Sequence, residues 1–181
     1  MKIAIAGVGG IGSNVAVNLV RSGIGFLRIV DHDRVEYSNL NRQFYFHDQI
    51  GRFKVEALAE NLKRIQPNLE VEAVVDRIDT ENCRTIFADC DLVVEGLDRQ
   101  EDKKMLVEHL GSERMLVSAC GIAGSDLSAI RSRRLGTCCI AGDFSTDCQQ
   151  APLFAHKVTT VAGFMTEFIV QQGIKHGKKI D

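Results

Sequence analysis

A chain of 181 residues with 45% hydrophobic residues can bury one full α/β core, and is too short for a nucleotide domain joined to a separate substrate domain of usual size. Its formal net charge of −2 gives no broad basic field for nucleic acid, and no apolar run approaches the roughly 18 residues of a membrane span. Met1-Lys2 leads straight into the first strand without a signal-like segment, so the expectation is one cytoplasmic domain over 1–181 that binds neither nucleic acid nor membrane.

Ile3-Ala4-Ile5-Ala6 reads as a strand. It runs into Gly7-Val8-Gly9-Gly10-Ile11-Gly12-Ser13, which opens an apolar-periodic segment from Val15 to Leu19. Glycines at 7, 9 and 12 let the backbone turn tightly, approach a phosphate closely and pack helix against strand. The helix N-terminus then offers free N–H groups and partial positive charge to an anion. Phe26 to Asp31 is the second strand, and its terminal Asp31 lies where an acidic residue hydrogen-bonds ribose hydroxyls. A Rossmann-like nucleotide site is the first expectation.

Asp31 to Gln43 is a polar connection longer than a plain crossover needs, and long ordered loops are usually functional. Val55, Leu58, Leu62 and Ile65 then mark a helix that Pro67-Asn68 ends, with Lys54 near its start. A cation there is unfavourable for the helix dipole, so Lys54 either sits on the solvated side or is held to meet an anion. Leu69 to Val75 alternates as a half-buried strand, Thr80 caps a short helix reaching Phe87, and Asp91 to Glu95 forms a fourth strand with Asp98 just beyond. Asp98 can be a cap of helix 99–110 and a ligand at once.

Met115 to Ala119 is a fifth strand, after which Gly121 to Gly124 breaks the alternation. Leu127 to Arg131 and Cys138 to Phe144 read as short strands, and Ala151-Pro152 precedes an apolar helix, roughly 154–171. The fold class is α/β: a Rossmann-like doubly wound sheet, mostly parallel, with short antiparallel strands towards the C-terminus. Ligands of such sheets sit beyond the carboxyl ends of the strands, where the glycine loop, Asp31 and Asp98 converge. The Arg131 to Arg134 and Lys175 to Lys179 clusters read as solvated faces. Six cysteines lie in no repeating frame and fit reduced thiols; without a Cys-x-x-Cys pair no structural zinc is expected.

At Asp31-x-Asp33-x-Val35-x-x-Ser38-Asn39-Leu40-Asn41-Arg42-Gln43 the chain resembles the ThiF/MoeB/HesA family, bacterial relatives of ubiquitin-activating enzymes. The resemblance takes in Gly7 to Ser13, Ile50-Gly51-x-x-Lys54, the Asp98 turn and the Ala151-Pro152 lead-in. It is nearest the compact ThiF-like sulfur-carrier adenylyltransferases, where Glu95, Asp98 and Lys103 replace an Asp-x-x-Asp-Asn-x-x-x-Arg pattern; Arg99 departs from the Asn of larger relatives. The resemblance implies adenylation of the C-terminal glycine carboxylate of a small ubiquitin-like sulfur carrier ending in Gly-Gly, with ATP and magnesium, for thiamine synthesis. It further implies that Gly7, Gly9, Gly10, Gly12, Ser13 and Asp33 line the nucleotide and that Asp31 holds the ribose. Arg42 and Lys54 would meet phosphates, Asn39 and Gln43 orient their loop, and Asp98 bind magnesium.

A separate sulfur donor and a homodimer are expected, the latter because Phe154, Val158, Val161, Phe164, Met165, Phe168 and Ile169 exceed one narrow apolar stripe. Some relatives link a cysteine of the segment before the last helix to the carrier, and Cys148 is the polar-flanked candidate here; the alternative is an exposed thiol without a role. Competing functions are an NAD-dependent oxidoreductase, which lacks an evident catalytic His, Lys or Tyr arrangement, and a non-catalytic scaffold binding a ubiquitin-like protein.

Overall fold

Ile3–Ala6 has no exposed residue and forms β1, an interior strand of the sheet in the computed structural model, which describes residues 1–175. Ile3 and Ile5 point to one face and Ala4 and Ala6 to the other, the period of a strand covered on both sides. The chain continues through α1 (Gly10–Arg21), β2 (Phe26–Val30), α2 (Lys54–Ile65), β3 (Glu70–Val74), α3 (Cys83–Ile86), β4 (Leu92–Glu95) and α4 (Gln100–Leu110). It closes with β5 (Met115–Ala119), β6 (Arg131–Leu135), β7 (Cys138–Gly142) and α5 (Ala155–Lys175).

Strand order is β3-β2-β1-β4-β5-β7-β6, parallel throughout except for the antiparallel β6–β7 hairpin at one edge. Helices α1, α2 and α5 cover the Ile3/Ile5 face and α3 and α4 the other, so the sheet is doubly wound as the sequence implies. The strand alternation and the Val55, Leu58, Leu62 stripe dictate this, because each buries against one face only. No described helix is long and apolar enough to cross a membrane.

Four local readings change. The edge strand β3 is mostly exposed rather than half-buried, since nothing pairs beyond it. The short helix starts at Cys83, and the carboxylate of Asp79, not Thr80, accepts from the N–H groups of Glu81 and Asn82 at its entrance. The segment from Leu127 is irregular and β6 begins only at Arg131, so the arginine cluster is the edge strand itself. In α5, Val158, Val161, Met165 and Ile169 are fully buried against the chain's own core, with Phe164 and Phe168 packed at its margin. Those apolar positions therefore give no argument for self-association. Of the Lys175 to Lys179 cluster, only the backbone of Lys175 lies within the described residues.

Candidate active site

Ala6, Val30 and Glu95 are in register at the ends of β1, β2 and β4, so the loops leaving these strands meet at one end of the sheet. Gly7 has φ +82°, and a Cβ there would lie 2.9 Å from the carbonyl of Gly96; a Cβ on Gly12 would run into the carbonyl oxygen of Gly7. These close approaches bring the start of α1 against the β1 and β4 loops. Gly9 caps α1 without a side-chain hydrogen bond, and its first turn has no acidic residue, so its leading N–H groups remain available to an anion.

Asp31, buried at the end of β2, accepts from the N–H groups of Val8 and Asp33, both at 2.8 Å, which locks its carboxylate beside the glycine loop. The Tyr45 hydroxyl grips the same loop from below through Val8 O at 2.7 Å. Burial, then the charges of Asp31 and Asp33, push that phenol well above its ordinary pKa, keeping it a donor. Lys54 opens α2 with a side chain only 8% exposed, its Nζ 2.7 Å from Asp33 Oδ2. It is thus held, not solvated. Asp31, His32 and Asp33 bring ligand atoms within 4.8 Å of one another, but both carboxylates are already engaged as described.

The polar connection folds back over α1. Asn14 donates to the carbonyl of Arg42 at 2.9 Å, the amide of Phe44 donates to Ser13 Oγ, and Ser13 Oγ donates to Gly9 O. Asn39 is spent on the loop itself, accepting from the Glu36 amide at 3.0 Å. Arg42 lays its stem over Gly10 and anchors one guanidinium nitrogen on Ser38 O and Asn41 Oδ1, which leaves other donors of its fork open. Gln43, only 9% exposed, stands above Gly9 with its Oε1 unpartnered among the described residues. A buried orphaned amide over an uncapped helix start fits a polar ligand in that place.

On the other side of β1, Glu95 is 0% exposed and accepts from Leu97 N at 2.8 Å, Ser118 Oγ at 2.6 Å and Lys103 Nζ at 3.0 Å to each oxygen. Asp98 is exposed two residues beyond Gly96, and its carboxylate has no partner among the described residues. It is not the cap of α4, whose N-cap is Arg99 without a side-chain bond. The segment crossing to α5 is fixed by a buried pair that sequence reasoning did not find: Lys157 Nζ lies 2.6 Å from both Asp143 Oδ2 and Ala123 O. Burial opposes the Asp143 charge, but Lys157 and the amides of Thr146 and Ser145 hold its pKa well below the usual carboxylate range. Asp143 and Lys157 stand 14 positions apart on different elements, and no local pattern links them.

Cys148 in this segment is exposed, and all cysteines are free thiols. Its thiol pKa is raised, by desolvation first; Lys103 pulls it down, Asp147 up and Arg42 down. Nothing activates the thiol as a resting nucleophile.

The ThiF family matches the chain over residues 1–174. Adenylyltransferase and sulfurtransferase UBA4 of Candida glabrata is 31% identical over 141 residues, 76% of this chain and 32% of that protein. Ubiquitin-like modifier-activating enzyme 5 of Drosophila ananassae is 38% identical over 126 residues, 63% of this chain and 32% of its own. The chain thus spans about a third of these curated relatives. Among solved structures, the E. coli tRNA N6-threonylcarbamoyladenosine dehydratase TcdA superposes with a TM-score of 0.88 over 97% of this chain and 87% of that one, at 20% identity. TcdA has also been solved in complex with AMP and with ATP.

Proposed function

The chain belongs to the ThiF family, and from that premise we propose that it adenylates the C-terminal carboxylate of a small ubiquitin-like protein at the expense of ATP. The observation that carries this reading is the start of α1, whose leading N–H groups meet no side-chain cap or acidic residue and over which Arg42 holds open donors; Gln43, above Gly9, adds an unpartnered Oε1 that can accept from a hydroxyl or amino group of the nucleotide. In this reading the polyphosphate rests on the first turn of α1, Arg42 turns its open donors to it, and Asp31 takes the ribose. The unpartnered Asp98 would be the residue to hold magnesium, which would supply charge neutralisation at the phosphates.

A carboxylate oxygen of the protein terminus attacks the α-phosphorus, forming an acyl-phosphate bond as the bond to the β-phosphate oxygen breaks and pyrophosphate leaves. No proton moves, because a chain-terminal carboxyl with a pKa of about 3.5 is already ionised at neutral pH. The site's task is positioning and charge stabilisation rather than general acid–base work. Calorimetric titration with ATP-magnesium and with NAD tests the reading; binding of NAD in preference to ATP overturns it.

The resemblance to the compact ThiF-like branch, carried by Glu95, Asp98 and Lys103, favours narrowing the partner to a sulfur carrier of thiamine synthesis ending in Gly-Gly, with a separate sulfur donor. A pull-down from source-cell extract in which the captured small protein lacks a Gly-Gly end would sink that narrowing. The homodimer is proposed on a different surface from α5, the exposed Tyr37, Phe46 and Ile50 of the long loop, and light scattering at micromolar concentration decides it. Since the carboxylate is the nucleophile, Cys148→Ser is expected to leave ATP–pyrophosphate exchange unchanged, and a loss of exchange in well-folded protein would contradict this chemistry.

A further inference from the structure

Lys103 is a charge that the phosphate side of the site does not account for. Strand order sets the crevice out in a line: Asp31 follows β2, the glycine loop follows β1, and Glu95, Lys103 and Ser118 belong to β4, α4 and β5 on the far side. A nucleotide whose ribose meets Asp31 and whose phosphates meet α1 leaves the side from which the adenylyl-accepting carboxylate must come towards β4 and β5. Lys103, 28% exposed and paired with Glu95, is a cation on that side.

Its chemistry is specific. An ammonium has three donors, and Glu95 takes two of them at 3.0 Å each, one on each carboxylate oxygen. The third has no acceptor among the described residues. Glu95 cannot turn away, because it is fully buried and also bound to Ser118 Oγ and the Leu97 amide. Glu95 is fully buried, and the half-buried Lys103 keeps one face open towards the crevice, so the pair need not serve stability alone.

We propose that Lys103 directs its remaining N–H to the carboxylate of the incoming protein terminus and so holds the nucleophile for attack on the α-phosphorus. This rests on the adenylation reading above. A lysine already balanced by Glu95 suits this task better than a free cation would. It orients a singly charged carboxylate without the strong ground-state stabilisation that would blunt its attack.

The test uses the whole chain with a non-hydrolysable ATP analogue and magnesium, and two fluorescent synthetic octapeptides ending in Gly-Gly, one with a free carboxylate and one with a terminal amide. Wild type is expected to bind the acid roughly tenfold more tightly than the amide, the size of one charge-assisted hydrogen bond. Lys103→Met should bring the ratio near one, and Lys103→Arg should keep most of it, a discrimination that a purely structural lysine would not control. Equal binding of acid and amide by wild type, or a preserved ratio in Lys103→Met, overturns the proposal; if Lys103→Met does not fold, Glu95→Gln/Lys103→Met, which leaves no unpaired buried carboxylate, is measured in its place with the same expected loss. Failure of wild type to bind ATP-magnesium removes the adenylation reading as well, whereas ATP binding without acid–amide discrimination removes only the assignment to Lys103.

Discussion

Asp98→Ala is expected to lower ATP–pyrophosphate exchange by roughly 10²-fold or more, the scale on which removal of one preorganised electrostatic contact to a developing charge is felt. Its melting temperature should stay at the wild-type value. The two halves of this expectation have one cause. Asp98 is exposed, makes no hydrogen bond or ion pair among the described residues and does not cap α4, so the fold loses nothing when its carboxylate goes. Asp98 sits two residues past the glycine that packs on Gly7, so in the proposed reading its carboxylate is free to meet the cation at the phosphates. Asp98→Asn should recover little, because a neutral amide does not replace the charge that a hard divalent cation requires. Exchange near the wild-type rate in Asp98→Ala would remove the magnesium assignment.

Lys157→Met is expected to have the largest effect on stability. Lys157 and Asp143 have side chains only 1% and 4% exposed, so removing the ammonium leaves a carboxylate charged inside the protein. Breaking such a pair from one side costs about 3–5 kcal/mol, which for a domain of this size lowers Tm by about 6–20 °C. A double replacement of both residues by apolar ones should recover much of the loss, and the difference between single and double variants measures the coupling. Differential scanning calorimetry gives both numbers. A Lys157→Met protein that melts within a degree of wild type would contradict the buried pairing.

Acid should act through the same pair. The folded-state pKa of Asp143 lies below its unfolded value, so its contribution is fully present above the unfolded pKa of about 3.9 and is lost as pH falls towards the folded value. Asp143→Asn should therefore flatten the decline in stability below about pH 4. The Asp143 carboxylate also accepts from Ser145 and Thr146, so loss of the pair should loosen the crossing segment that carries Cys148 before the sheet unfolds.

Local sequence patterns suffice for the sheet and for the end of it at which the candidate site lies. Ile3 to Ala6, Leu92 to Glu95 and Met115 to Ala119 are short apolar runs separated by helix-period stripes. Such runs are stable only as parallel strands covered on both faces, and the glycine loop must then lie at their carboxyl end. These are local patterns, carried by residues a few positions apart. Only the tertiary structure decided how α5 spends its apolar face, which depends on what α1 and the sheet present to it; the count of apolar positions does not change with the answer. Likewise, Lys54 reads from sequence as solvated or held, and only the folding back of the long loop brings Asp33 to it. Glu95, Lys103 and Ser118, like Asp143 and Lys157, come together from separate elements. The buried charges of Glu95, Asp143 and Lys157 are tolerated because each is met by several donors or acceptors that other parts of the chain supply, and a linear sequence holds no local trace of such satisfaction.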